Sequence, residues 1–270
     1  MTKFGLKYYR IIQISFFNSI EYRVDFLFGL LAKFFPIIIQ YYMWTAIFKN
    51  SPDSIIMGYS YPQMIVYTII APLVSSLSLV NIQYQIADEI RLGRFSRYVI
   101  LPAKHFNIKL SEFIGTKFIE SIFISILLLI AGTVFFKAGY LFVNIAHVFL
   151  FILVIIFSIA IRFLIAYLSS AMAFWMGDCD GVFTMLNVII LIISGGVFPL
   201  NIFGNLVLKI SQLLPFYYIT YFPANILIKE YDNVTILGGI GIMLIWIVIL
   251  WLICKLIWYN GEKKYIAAGG

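Results

Sequence analysis

Few side chains in this sequence could do chemistry, and their spacing argues against catalysis. Glu112 and Glu120 are the carboxylates placed for acid–base work, yet both stand deep inside a long apolar stretch with no evident place for a substrate. A general acid or base must reach the proton it moves, so geometry comes before acidity. His105 and His147 are isolated from each other, and no H-E-x-x-H or G-x-S-x-G occurs. Cys179 and Cys254 lack metal-ligand spacing and read as small packing residues kept reduced. No G-x-x-x-x-G-K-S/T stretch is present to cradle a nucleotide. The expectation is a chain that is not an enzyme, with no catalytic, metal-ligating or cofactor-binding residues.

Charge is instead concentrated in one place. The segment ADEIRLGRFSRYVILPAKH, residues 87–105, holds Asp88, Glu89, Arg91, Arg94, Arg97 and Lys104 in a chain that is only 11% charged. Acids before bases suit a helix beginning at Asp88, since carboxylates favour the first turn and cations the last. Ile90, Phe95, Tyr98 and Val99 give that helix an apolar side, and Pro102 ends it. A plain basic loop would need neither the aromatic residues nor the acid pair. The pattern fits a short amphipathic helix that docks a soluble partner.

The elements that position this segment belong to a membrane protein. The 270 residues are 63% hydrophobic, with a mean hydropathy of +0.99. Soluble domains are about 45–50% apolar and about 25% charged. Runs of ~20 apolar residues span the ~30 Å hydrocarbon core. Six spans are expected, at about 24–48, 62–86, 109–136, 144–175, 182–198 and 234–258, in an all-α transmembrane domain covering 24–270. Before them, in residues 1–23, Phe4, Tyr8, Ile12, Phe16 and Ile20 recur at helical spacing. That predicts an amphipathic helix lying in the interface with its bases toward anionic headgroups. Glu21, Arg23 and Asp25 follow the short run 11–20 where a cleavable signal would need small residues.

Of the nineteen Lys and Arg, twelve fall in 1–23, 87–109 and 255–270, and four in 49–61, 137–143 and 201–232. The positive-inside rule then places both termini in the cytoplasm. This accounts for the net charge of +7 without a nucleic-acid partner. Between the fifth and sixth spans, Pro199, Pro215 and Pro223 cut an apolar stretch into pieces too short to cross a bilayer. Such pieces read as re-entrant helices over 199–232, or as a packed loop. Ser194-Gly195-Gly196 is where the fifth span breaks. Inside the spans, Glu120 and Arg162 fall at similar depth, which predicts an ion pair between the third and fourth spans. The alternative for Arg162 is contact with an anionic substrate.

The segment D-E-I-R-L-G-R-F-S-R-Y-V-I-L-P, 88–102, resembles the first cytoplasmic loop of the type 2 ATP-binding-cassette exporter permeases, the six-span bacterial ABC-2 subfamily. The blocks G-G-V-F-P-L, 195–200, and L-P-F-Y-Y-I-T-Y-F-P-A, 214–224, are similar to that family's re-entrant extracellular helices. The ending K-K-Y-I-A-A-G-G, 263–270, is similar to its terminus, and the amphipathic N-terminal helix to its interface helix. The resemblance covers nearly the whole chain. It implies a permease subunit of an exporter in a bacterial plasma membrane, paired with a second permease, identical or homologous. Two ATPase subunits beneath would hold ATP and Mg. It assigns ATPase coupling to Asp88, Glu89, Ile90, Arg91, Gly93, Arg94, Phe95, Arg97 and Pro102. It makes an outer gate of Gly195, Gly196, Pro199, Pro215 and Phe216. The residues themselves leave a second reading, an ion-gradient-driven transporter or channel, because broken helices and intramembrane charges also occur there.

Overall fold

The computed structural model describes residues 3–21, 23–101, 103–141, 145–229 and 231–265. Pro102 and the last five residues lie outside the described residues, as do the side chains of Phe4, Ile20 and Val99.

Apolar runs with few breakers give long helices. α1 (Lys3–Glu21) and α2 (Arg23–Asn50) come first, then a two-stranded hairpin, β1 (Ile55–Ile56) and β2 (Tyr59–Ser60). The second expected span becomes two helices, α3 (Tyr61–Ser78) and α4 (Ile82–Arg91), separated by Leu79–Asn81. A short α5 (Ser96–Ile100) leads to α6 (His105–Lys137) and α7 (Ile145–Ser170), which tightens into a 3₁₀ turn, Ala171–Phe174. α8 (Asp180–Ile193), α9 (Asn205–Ser211), α10 (Tyr221–Ile228) and α11 (Asn233–Glu262) complete the chain, with 3₁₀ turns at Leu200–Phe203 and Pro215–Tyr218.

The chain is a helical, multi-pass membrane protein. Among the described residues, five helical stretches are long and apolar enough to cross: Leu31–Asn50, Tyr61–Arg91, His105–Lys137, Ala146–Phe174 and Asn233–Glu262. The expected span at 182–198 is instead the 14-residue α8, which stops at Ile193. Its end is a Schellman turn: Gly195 takes φ +80°, Gly196 N–H donates to Leu191 C=O at 2.9 Å, and Gly195 N–H to Ile192 C=O at 3.1 Å. Pro223 does not break the chain either. It sits in the first turn of α10, where a missing N–H is harmless.

α3 is the buried centre, packed on α2, α6, α7 and α10, and α7 packs along α11. α6 turns Phe118, Ile122, Leu129 and Ile130 outward, as a lipid-facing helix should. α1 packs its Tyr8, Ile12 and Phe16 side along the first half of α6. Tyr8 accepts from Asn107 Nδ2 at 3.5 Å, and Phe16 meets Phe118 edge to face at 5.8 Å. The approach depends on Gly115. A Cβ there would stand 2.5 Å from Ile12 C=O and 2.7 Å from Ser15 Cβ.

Gly115→Val is therefore expected to push α1 off α6 and destabilise the protein by ~1–3 kcal/mol, the usual range for overpacking. Thermal unfolding in detergent and hydrogen exchange over residues 8–16 measure both effects. A wild-type melting point with unchanged exchange would show the close packing to be unimportant.

Candidate functional site

The charged segment is not one helix beginning at Asp88. Asp88 and Glu89 stand in the last turn of α4, where Leu92 N–H donates to Asp88 C=O at 3.0 Å. Gly93, at φ +74°, reverses the chain, and Phe95 N–H donates to Glu89 C=O at 2.8 Å before α5 starts. Carboxylates at a helix C-terminus oppose its dipole, so both need compensation. Asp88 finds it in Arg91, at 2.7 Å.

Glu89, only 3% exposed, finds it in a cluster. Its Oε1 accepts from Arg97 at 2.7 Å, from the fully buried Lys109 at 2.8 Å and from the Tyr98 hydroxyl at 3.1 Å. Lys109 also reaches Glu112 at 2.7 Å, and Gln85 donates to that same carboxylate at 3.2 Å. Burial raises the Tyr98 hydroxyl above the ordinary phenol range, so it remains a donor. The cluster ties the end of α4 to the start of α6.

Phe95, 2% exposed, is the second anchor. Its ring lies 5.1 Å from His105, 5.5 Å from Phe174, 6.0 Å from Trp258 and 5.1 Å from Tyr265. Those partners come from the start of α6, the end of α7, the end of α11 and the residues just after it. Trp258 stacks on Tyr167 at 4.4 Å and donates its indole N–H to Tyr167 C=O at 3.0 Å. Gly261 lets Phe174 approach so closely that a Cβ would stand 2.3 Å from the ring. Aromatic contacts of this geometry add ~0.5–1.5 kcal/mol each beyond buried area. Sequence reading found Phe95 but not the socket. Tyr167, Phe174, Trp258 and Tyr265 are distant in sequence and carry no local signal.

With Glu89, Ile90 and Phe95 facing inward, the remaining expected docking residues form the surface. Arg91, Arg94 and Arg97 are exposed, Asp88 and Gly93 half-buried, and Leu92 and Leu101 project at 56% and 47% exposure. The result is an apolar tip ringed by guanidinium groups. Beside it, the turn 176–181 is anchored by buried Cys179 against Ala87 and Phe183, leaving Asp178 and Asp180 at the surface. Cys254 is also a free, buried thiol.

At the opposite end, the expected gate residues pack around the end of α8. Tyr67 O–H donates to Gly195 C=O at 2.6 Å, and Tyr221 N–H to Ser194 C=O at 2.9 Å. A Cβ on Gly195 would meet the Tyr67 hydroxyl at 2.8 Å, and one on Gly196 would meet Leu191 Cδ1 at 2.6 Å. Pro199 precedes the 200–203 turn, buried Pro215 opens the 215–218 turn, and Phe216 beside it is half-buried. Tyr59 O–H donates to the fully buried Asn225 at 2.7 Å, and Tyr221 bonds Asn201.

The expected Glu120–Arg162 pair is not formed. Glu120 is held by Lys33 and Lys117, each at 2.7 Å, while Arg162 donates to Asn187 Oδ1 at 2.7 Å. The prediction assumed that consecutive spans share a broad face. α6 instead spends that face on α1 and α3, and meets α7 through rings such as Phe113 and Phe163, 5.3 Å apart. Lys33 on α2 was the partner that depth arithmetic could not find.

Residues 34–269 match the family described as ABC-2 family transporter protein. No curated protein matches the chain.

Glu89→Gln should be costly, because it leaves Lys109 buried without its full counter-charge. Removing one partner of a buried pair typically costs ~3–5 kcal/mol, and replacing both by apolar residues often costs little. Thermal melts of Glu89→Gln and of Glu89→Leu with Lys109→Met are expected to show a large loss in the first and partial recovery in the second. Equal melting points for wild type and Glu89→Gln would remove the cluster's structural role.

Proposed function

Because the chain belongs to the ABC-2 transporter family, whose members work with an ATPase subunit, we propose that it is the membrane permease half of an ATP-driven exporter. It lies in a bacterial plasma membrane with both termini in the cytoplasm, as the Lys and Arg distribution favours. Two ATPase subunits, which bind ATP and Mg, dock on the 88–102 segment, and a second permease subunit, identical or homologous, completes the translocation path.

The observation that carries this reading is the rigid mounting of the docking tip. Leu92, Arg91 and Arg94 face outward, while Phe95 and Glu89, the latter held by Arg97 and Lys109, fix the same turn to α4, α6, the end of α7 and α11. A flexible loop would absorb a push from below. This one would transmit it to four helices at once, re-biasing inward- and outward-facing states that differ by a few kcal/mol. The apolar tip suits a hydrophobic groove in the ATPase, and the guanidinium ring suits acidic groups around it. The turn after α8 and the re-entrant pieces 199–232 serve as the outer gate. The ion-gradient alternative gains little support, since Glu112 and Glu120 are both engaged by lysines.

Two experiments test this. Leu92→Asp, or Arg91→Glu with Arg94→Glu, should cut co-purification of the ATPase at least tenfold and leave permease-dependent ATP turnover near that of the ATPase alone. Losses of ~1–3 kcal/mol per anchor residue imply that magnitude. Full recovery and turnover in both variants would sink the docking role. For topology, single cysteines in place of Asn205 and Leu213, in a chain with Cys179 and Cys254 replaced by alanine, should react from outside with a membrane-impermeant maleimide. A cysteine at the buried position 225 should not. Reaction of the first two only from the cytoplasmic side would reverse the orientation.

A further inference from the structure

Arg162 is a charge that neither docking nor gating uses. It is 4% exposed and sits well inside α7, roughly 18 Å from Phe174 at ~1.5 Å per residue. Among the described residues, every ion pair within 4.0 Å involves some other cation. An uncompensated charge near the bilayer centre costs ~3 kcal/mol or more, and such residues mark paths for ligands or ions.

The hydrogen bonds leaving Arg162 run in one direction. The guanidinium donates to Asn187 Oδ1 on α8, and Asn187 Nδ2 donates to Asn81 Oδ1 at 3.4 Å, with the Tyr84 hydroxyl 3.5 Å away. Each amide thus offers its oxygen toward the cation and its N–H outward. The last one, Asn81, is exposed, stands in the break between α3 and α4, and makes no capping bond to α4. It lines a cavity of about 270 Å³, together with Gln85, Thr116, Lys117 and the carboxylates Glu112 and Glu120. The N-terminus of the ten-residue α4 opens on the same space, bringing further backbone donors. Both carboxylates on the cavity wall are paired, Glu112 with Lys109 and Glu120 with Lys33 and Lys117, so neither presents an uncompensated negative charge to it.

We infer that this cavity binds the anionic headgroup, phosphate or carboxylate, of an amphiphile. Asn81 and Asn187 supply the donors, Arg162 supplies the charge behind them, and the chain lies along the exposed apolar sides of α6 and α8. As a transport site it rests on the permease reading; as a binding site it does not.

The test uses the full chain in phosphatidylcholine nanodiscs, without any ATPase, so its failure is separable from failure of docking. The probe is 11-(dansylamino)undecanoate, and its methyl ester is the uncharged control. The acid is expected to bind better than the ester. Arg162→Gln should weaken the acid about tenfold or more, the loss of one charged hydrogen-bonding partner, with the ester unaffected and Arg162→Lys largely wild type. Asn81→Ala, which removes only a surface amide, should weaken the acid too and keeps the test decisive if Arg162→Gln misfolds. Two arms separate the sources of the headgroup. Displacement of the probe by phosphatidylglycerol identifies a resident lipid. Probe-stimulated ATP turnover in the complex, lost in Asn81→Ala, identifies cargo. Either result supports the site. Equal affinities for acid and ester, or unchanged affinity in both Arg162→Gln and Asn81→Ala, would overturn it. So would disulfide crosslinking of Asn187→Cys between two copies, which would show a second subunit covering the stripe.

Discussion

Glu89 governs the charged end of this molecule. A carboxylate nearly cut off from water at the last turn of a helix is unfavourable twice over, through lost hydration and through the helix dipole. It persists only because Arg97, Lys109 and Tyr98 converge on one of its oxygens. That convergence forces the chain to reverse at Gly93, sets α5 against α6, and leaves Phe95 in position to enter the aromatic socket. Remove the requirement for compensation and nothing obliges residues 92–95 to hold one shape. The exposed residues of the tip inherit their placement from a charge that no partner can reach.

The membrane imposes the same rule elsewhere with different means. At Leu79–Asn81 the helix ladder stops, and Ser76 C=O accepts from Lys117 Nζ at 2.9 Å as well as from Leu79 N–H at 3.3 Å. At the end of α8, Tyr67 and the Tyr221 N–H satisfy the carbonyls of Gly195 and Ser194. Breaks within a span survive only where protein groups replace the missing partners. These two breaks are therefore also points where distant elements are tied together.

Legibility in the sequence followed the range of each interaction. Apolar runs announce the long helices, and the charged segment announces an exposed polar turn, because both depend on composition over a few turns. The direction of that segment is not legible in the same way. Acid before base reads as a helix start, whereas the acids here close α4 and one of them is buried by Lys109, twenty residues away. The partner of Glu120 was missed for a related reason. Depth along an axis is legible, but which helix supplies the opposing charge depends on packing order, and α6 is flanked by α1, α2 and α3 before it meets α7. The aromatic socket had no local signal, since its rings come from four separate parts of the chain.

The fourteen residues of α8 reach about 21 Å, well short of a hydrocarbon core of ~30 Å. Such mismatch is met by thinning the neighbouring bilayer or by making up the missing height with other protein. Here the 215–218 turn packs on α8 and Tyr221 bonds its end, so this edge is assembled from two separate pieces joined at a glycine turn. A barrier with a seam can be parted by tilting its upper layer through a small angle. A continuous thirty-residue helix would have to slide or bend along its whole length. If this end is the proposed outer gate, the shortness of α8 would lower the mechanical work of opening it, while the long helices elsewhere in the bundle keep their full hydrophobic length.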